Sequence, residues 1–242
     1  MPYVEGVSDW NEQEKRFDEI RHKKIVDRSE EYVDQYAVTT RRQTMAHGLT
    51  RTKLFEMILD VKGSIIECGV YRGQGLMYFY HLSTILEPYA FNRKIYGFDT
   101  FTGFRSTTDK DPMKDKAGLL GDVDYEFLKD MIKTHDMNRP VAHIPKAELV
   151  KGDAVKTIPE FVAAHPELIV ALLYLDFDLY APTKVALEQF LPLMPKGGIV
   201  VFDELNVAKW AGETTAFKEM FELNKIELKK FPFDPYVSYF VV

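Results

Sequence analysis

Cysteine is almost missing from this sequence: 242 residues contain one, Cys68. A lone thiol excludes an intrachain disulfide framework and points to a reducing compartment. Cys68 lies in the apolar run SIIECGV, so it reads as a small buried side chain rather than a nucleophile. Long apolar runs are lacking too. None approaches the roughly 20 residues that cross a bilayer, and MPYVEGVSDWNEQEK shows neither the basic nor the apolar region of a signal peptide. There is no dense Lys/Arg stripe and the net charge is −6, which argues against a partner gripped by its phosphates. No H-x-x-x-H or C-x-x-C pair offers a zinc site. The expectation is a soluble, cytoplasmic protein without a nucleic-acid or membrane partner.

What is present is an alternation of patterns. Residues 11–36 are charge-rich, with Phe17, Ile20, Ile25, Val26 and Tyr32 at helical spacing, which predicts an exposed, partly amphipathic helix against the main body. A second helical pattern covers 49–61. Strands are then expected at 64–70, 94–99, 147–151, 168–175 and 198–202, with helices at 74–86, 125–135, 154–165, 182–191 and 214–223 between and after them. Two final strands are expected at 226–231 and 237–242. Residues 102–122, rich in Asp, Lys, Gly and Thr, carry no period and read as a loop excursion. Such alternation predicts an α/β fold with a mostly parallel sheet covered on both faces. In that architecture ligands bind beyond the carboxyl ends of the strands, near the topological switch point.

The polar clusters fall where that rule puts a site. The first strand runs into Glu67-Cys-Gly69-Val-Tyr-Arg-Gly73-Gln-Gly75. Glycines let the backbone turn sharply, and the following helix offers free N–H groups. A dinucleotide loop reads G-x-G-x-x-G; here the spacing is E-x-G-x-x-x-G-x-G. An acid there repels a pyrophosphate but suits an ammonium and a sulfonium, which favours S-adenosylmethionine over NAD. The second strand ends at Asp99, where a carboxylate can accept from both ribose hydroxyls.

These stretches, ECGVYRGQG, YGFDTFTGF, LVKGDAVKTIPEF, YLDFDLYAPT and PKGGIVVFDE, together resemble the macrocin O-methyltransferase family. The resemblance implies a Rossmann-like class I methyltransferase fold with a seven-stranded, mostly parallel sheet, helices on both faces and an antiparallel C-terminal strand. It implies S-adenosylmethionine as cofactor, a divalent metal, and a sugar-bearing small molecule as acceptor. It divides the chain into an N-terminal helical segment, 1–48, serving as lid or oligomerisation element, and a methyltransferase domain, 49–242. A homo-oligomer is expected on the same ground. Carried over position by position, Thr44 and Met45 of TTRRQTM contact the cofactor, and Glu67, Gly69 and Tyr71 line its methionine part. Asp99 holds the ribose, Phe101 packs by the adenine, and Asp153 lies near it. Asp176, Asp203 and Glu204 match the metal ligands, with Glu204 departing from a more usual second Asp. The loop after FTGF has no clear match, so the acceptor is not specified.

The acids themselves make a related point. Asp176, Asp178, Asp203 and Glu204 close two apolar strands, and ionised carboxylates in one pocket repel one another. A hard divalent cation such as Mg²⁺ relieves that conflict, since oxygen ligands favour Mg²⁺, Ca²⁺ or Mn²⁺ over zinc. Such a cation, bound by neighbouring hydroxyls, would lower the pKa of one of them. Asp178 is the candidate base if Asp176 binds metal, and the two roles are exchangeable. The function expected is O-methylation of a sugar hydroxyl of a glycoside, nucleotide sugar or glycosylated natural product. A catechol-type, metal-dependent O-methyltransferase acting on a small aromatic diol is the alternative.

Overall fold

A computed structural model describes residues 8–112, 115 and 118–242. The chain divides into two compact units, one up to Leu49 and one from Thr50 to Val242. The first holds α1 (Ser8–Val26), α2 (Ser29–Tyr32), α3 (Tyr36–Thr39) and the start of α4 (Arg42–Met57). The single helix expected over 11–36 is thus interrupted. Asp27 and Ser29 are poor helix residues whose side chains compete for the backbone, and the chain turns there. Arg41 donates to Asp18 at 2.8 Å and Arg21 to the Thr39 carbonyl at 2.8 Å, which folds the segment after the turn back onto α1. α4 begins earlier than the expected 49–61 because RRQTMAH contains no helix breaker.

The second unit carries β1 (Ser64–Cys68), α5 (Gln74–Leu86), β2 (Ile95–Asp99), α6 (Tyr125–Asp136), β3 (Ala147–Lys151) and α7 (Ala154–Ala164). It continues with β4 (Val170–Leu175), α8 (Tyr180–Phe190), β5 (Ile199–Phe202), α9 (Ala211–Met220), β6 (Lys229–Phe231) and β7 (Asp234–Val241). The sheet order is β3-β2-β1-β4-β5-β7-β6. β1 to β5 run parallel, and β7 is inserted antiparallel between β5 and β6. This is the expected Rossmann-like arrangement. Strand order reverses between β1 and β4, which opens a crevice at their carboxyl ends.

Strand alternation builds two cores. Ile65, Leu172, Tyr174 and Val201 face α5, α6 and the carboxyl end of α4, where Leu54, Phe79 and Leu128 pack. Ile66, Cys68, Leu173 and Phe202 face α7, α8 and α9, packing on Phe161, Phe190 and Phe217. Both faces of β1 and β4 are buried, so these strands read as near-continuous apolar runs, and the expected small buried Cys68 is fully inaccessible. β6 is shorter than the expected 226–231: residues 226–228 are irregular and the strand starts at Lys229. At the start of β7, the buried Asp234 accepts from the Thr50 hydroxyl at 2.7 Å.

Candidate active site

The glycine loop after β1 is held from both sides. Gly69 has φ +95°, and a Cβ there would overlap the Asp176 carbonyl, so only glycine lets the ends of β1 and β4 come this close. Tyr71 also takes a left-handed conformation, φ 48°, with its ring half-exposed. Both oxygens of Asp99 are used by backbone: Oδ2 accepts from Val70 N–H at 2.9 Å and Tyr71 N–H at 2.8 Å, and Oδ1 from Phe101 N–H at 2.7 Å. Asp99 therefore fixes the glycine loop against the end of β2. Phe101, φ 55°, is buried and meets Tyr125 with ring centroids 5.0 Å apart. Non-glycine residues in this region are strained, and here they gather at strand ends that border the crevice.

A cleft open to solvent lies over this crevice. Gly69, Tyr71, Asp99, Asp153, Asp176 and Asp178 all line it. A solvent-open crevice with convergent polar groups at a switch point is where this architecture takes a small-molecule ligand. Asp153 caps α7, accepting from Val155 N–H at 3.1 Å, and its other oxygen accepts from the Ser106 hydroxyl at 2.6 Å. Ser106 belongs to the excursion after β2, whose Arg105, Leu119 and Leu120 form the outer wall of the cleft. Buried Asp111 fastens that excursion. It accepts from Tyr180 N–H at the start of α8 and from Thr108 N–H, each at 2.7 Å. Lys110 pairs with Glu219 of α9.

The acids crowd the floor. Burial raises the pKa of Asp176 well above the carboxylate range, and the charges of Asp203 and Asp178 add to this against the pull of Arg51. Asp178 is buried with φ 62°; burial, a hydrogen bond to Glu204 and the neighbouring acids raise it likewise. Burial lifts Glu204 to about 7, and the bond from Asp178 pulls the other way. The Asp178 and Glu204 carboxyls lie within hydrogen-bonding reach of each other, and Glu204 Oε2 has no partner. Asp203 Oδ1 accepts from the Tyr174 hydroxyl at 2.6 Å. Among the described residues no three His, Cys, Asp or Glu side chains are arranged around a common metal position. The expected ligands Asp176, Asp203 and Glu204 share a neighbourhood, but Tyr174 holds one and Asp178 another.

Comparison with known proteins fits this geometry. The family described as Macrocin-O-methyltransferase (TylF) matches residues 10–240. The chain belongs to the macrocin O-methyltransferase family. It is an O-methyltransferase. Among solved structures, CalS11, a calicheamicin methyltransferase, is 34% identical over 99% of this chain and 95% of its own, with a TM-score of 0.89. An apo structure of CalS11, described as a TDP-rhamnose 3'-O-methyltransferase of calicheamicin biosynthesis, is 33% identical over 99% of this chain and 97% of its own, at 0.81. The O-methyltransferase NovP shares 18% identity over 81% of this chain and 79% of its own, with a TM-score of 0.65, and supports the fold alone. No curated protein matched.

In this O-methyltransferase, the expected site residues Glu67, Phe101, Asp203 and Glu204 do not line the cleft. Glu67 is buried on the α4–α5 side of the sheet, with Oε1 3.6 Å from Arg51 and Oε2 unpartnered. Asp203 and Glu204 lie at the end of β5, beside the lining acids Asp176 and Asp178. Thr44 and Met45 lie on α4 in the N-terminal unit. Trp210 packs edge-on against Phe104, which lines the cleft, with centroids 5.8 Å apart. His81 and His135 contact each other at 4.8 Å, between α5 and α6 and outside the cleft lining.

Two charged residues were not anticipated. Glu213, in the first turn of α9, is fully buried, and neither oxygen has a partner. It lies by the Asp203 and Glu204 N–H groups without a well-formed hydrogen bond, and burial, Asp203 and Asp178 raise its pKa well above the usual range. Burial works against the charge on Arg51, but Tyr174, Glu67, Asp203 and Asp176 outweigh it and raise its pKa. The signal for each was a charge on an apolar stripe: Glu213 precedes Ala216 and Phe217, and Arg51 precedes Leu54, Phe55 and Ile58, at helical spacing.

Proposed function

We propose that the chain transfers the methyl group of S-adenosylmethionine to a sugar hydroxyl of a glycoside, nucleotide sugar or glycosylated natural product, assisted by a hard divalent cation. The observation that carries this reading is the end-to-end match to CalS11, described as acting on TDP-rhamnose, together with an acid-floored cleft at the switch point. The cleft is the cofactor site in this reading. Gly69 and Tyr71 border the methionine part, Asp99 the ribose, and Phe101 and Asp153 the adenine, with Glu67, Thr44 and Met45 completing the set. When bound, S-adenosylmethionine supplies an electrophilic methyl group on sulfur.

The donor set fits a hard cation chemically. All its donors are oxygens, burial and then the neighbouring acids raise the pKa of Asp176 and Asp178, and Glu204 Oε2 is orphaned. Asp176, Asp203 and Glu204 would hold the ion, which lowers the pKa of a neighbouring hydroxyl when bound. Were Glu204 to turn to such an ion, its contact with Asp178 would be lost, and Asp178 would release its proton to solvent and stand as a carboxylate. Asp178, or Asp176 in the exchanged assignment, then takes the acceptor proton. The acceptor oxygen forms the O–C bond as the C–S bond breaks, and its electron pair stays on sulfur. The products are the methyl ether, S-adenosylhomocysteine and the proton left on the carboxylate. The exposed apolar residues Phe17, Ile20 and Val38 of the N-terminal unit favour a homo-oligomer, which gel filtration checks.

The test is calorimetry with S-adenosylhomocysteine, followed by an acceptor screen of nucleotide sugars and glycosides against diphenols. Binding and methylation of sugars are expected. Turnover of diphenols alone would move the chain to the catechol-type reading, and no binding would remove the cofactor claim.

A further inference from the structure

Most buried charges outside the cleft have evident structural work. Arg93 donates to the carbonyls of Gly63, Ile58 and Val61, and Arg139 pairs with Asp136 while also donating to backbone. Arg51 is different. It is 8% exposed, and its guanidinium lies 3.6 Å from Glu67 Oε1 and 4.6 Å from the centroid of the Tyr174 ring. Tyr174 then donates its hydroxyl to Asp203 Oδ1 at 2.6 Å. Glu67 and Tyr174 are register partners on β1 and β4, so the chain Glu67–Arg51–Tyr174–Asp203 crosses the switch point itself. Gly75 leaves the space for it, because a Cβ there would overlap both Glu67 Oε1 and the Arg51 guanidinium.

We propose that Arg51 and Tyr174 are positioning residues that hold Glu67, at the cofactor end, in fixed relation to Asp203, at the acceptor end. The inference rests on the reading of the cleft given above. In-line methyl transfer needs donor and acceptor aligned, and a small misplacement costs rate steeply. The geometry supplies a link through a 3.6 Å ion pair and an aromatic face, with Arg51 Nε and Glu67 Oε2 left without partners. The Arg51 fork spans a carboxylate and an aromatic face, which a flexible ammonium cannot reproduce. The Tyr174 hydroxyl determines which Asp203 oxygen is engaged and so leaves Oδ2 for other partners.

Tyr174→Phe and Arg51→Lys separate the two ends. Tyr174→Phe keeps the ring under Arg51 and removes only the hydroxyl. The expected result is a kcat about tenfold lower, with the S-adenosylhomocysteine Kd within about twofold of wild type. Arg51→Lys is expected to weaken that Kd about tenfold and raise the KM for S-adenosylmethionine in parallel. A purely structural role would lower Tm and the folded fraction while leaving Kd, KM and kcat per folded molecule unchanged, and that pattern would overturn the proposal. Should Arg51→Lys fail to fold, Arg51→Gln, which keeps Glu67 and a neutral donor beside it, replaces it with the same expectation. A wild-type chain that does not bind S-adenosylhomocysteine overturns the reading of the cleft instead, so the two failures are distinguishable.

Discussion

Glu67 sits on the buried face of β1, where burial lifts its pKa from 4.5 to about 7 although Arg51 opposes the shift. A carboxyl raised in the fold binds a proton that the unfolded chain releases. Its contribution to stability is therefore complete below about 4.5 and is lost as pH rises through about 7. The ligand-free chain should show a urea midpoint that falls over this window, and the slope should be shallower in Glu67→Gln. An equal slope in both would assign the titration to other groups. Gly75→Ala should act at the same place by sterics, because its methyl group must displace the Glu67–Arg51 pair. The expected cost is about 1–3 kcal/mol, measured by denaturation, with weaker S-adenosylhomocysteine binding. At this scale the sequence was informative about residues that end strands: Gly69, Tyr71, Asp99, Asp153, Asp176 and Asp178 all line the cleft. For Arg51 and Glu213 it offered only a charge on an apolar helical stripe, because the groups that surround them come from other elements once the sheet has formed.

Among elements, the excursion after β2 has the least regular sequence and still has a defined anchor. Asp111 satisfies the free N–H at the amino end of α8, where a carboxylate is favoured by the helix dipole as well. Asp111→Ala leaves Tyr180 N–H and Thr108 without their acceptor and should cost about 1–3 kcal/mol, read as a lower Tm. Because Arg105, Leu119 and Leu120 of the excursion wall the cleft, the acceptor KM should rise more than kcat falls. An unchanged KM would mean that the excursion does not touch the acceptor. The strands were legible because runs buried on both faces are apolar throughout, as in VALLYL and IVVF. Ends of elements were less so. α4 starts earlier than its apolar pattern because RRQTMAH holds no helix breaker, and β6 begins only at Lys229, with 226–228 irregular.

For the whole molecule, the order β3-β2-β1-β4-β5-β7-β6 brings the ends of β1 and β4 together and places four acids from β4 and β5 beside the cleft. Alternating strands and helices predicted the parallel sheet; the strand order, and with it the juxtaposition of Asp178 and Glu204, came from the three-dimensional structure. That juxtaposition matters for metal dependence. If a hard cation separates Glu204 from Asp178, saturating EDTA should cut methyl transfer about 100-fold or more, with recovery on adding Mg²⁺ or Mn²⁺. Unchanged turnover would remove the cation and leave the carboxylates as the sole base. Asp203→Asn should weaken Mn²⁺ binding, followed by its electron paramagnetic resonance signal, while leaving the circular dichroism spectrum unaltered.

The central claim is sugar O-methylation from S-adenosylmethionine. It is tested most directly by incubating the purified chain with methyl-labelled S-adenosylmethionine and a TDP-deoxysugar, then locating the label by mass spectrometry and NMR. The predicted result is one labelled methyl group on a sugar hydroxyl, with stoichiometric S-adenosylhomocysteine. Label appearing only on aromatic diols, across a screen in which every nucleotide sugar and glycoside stays unmethylated, would contradict it.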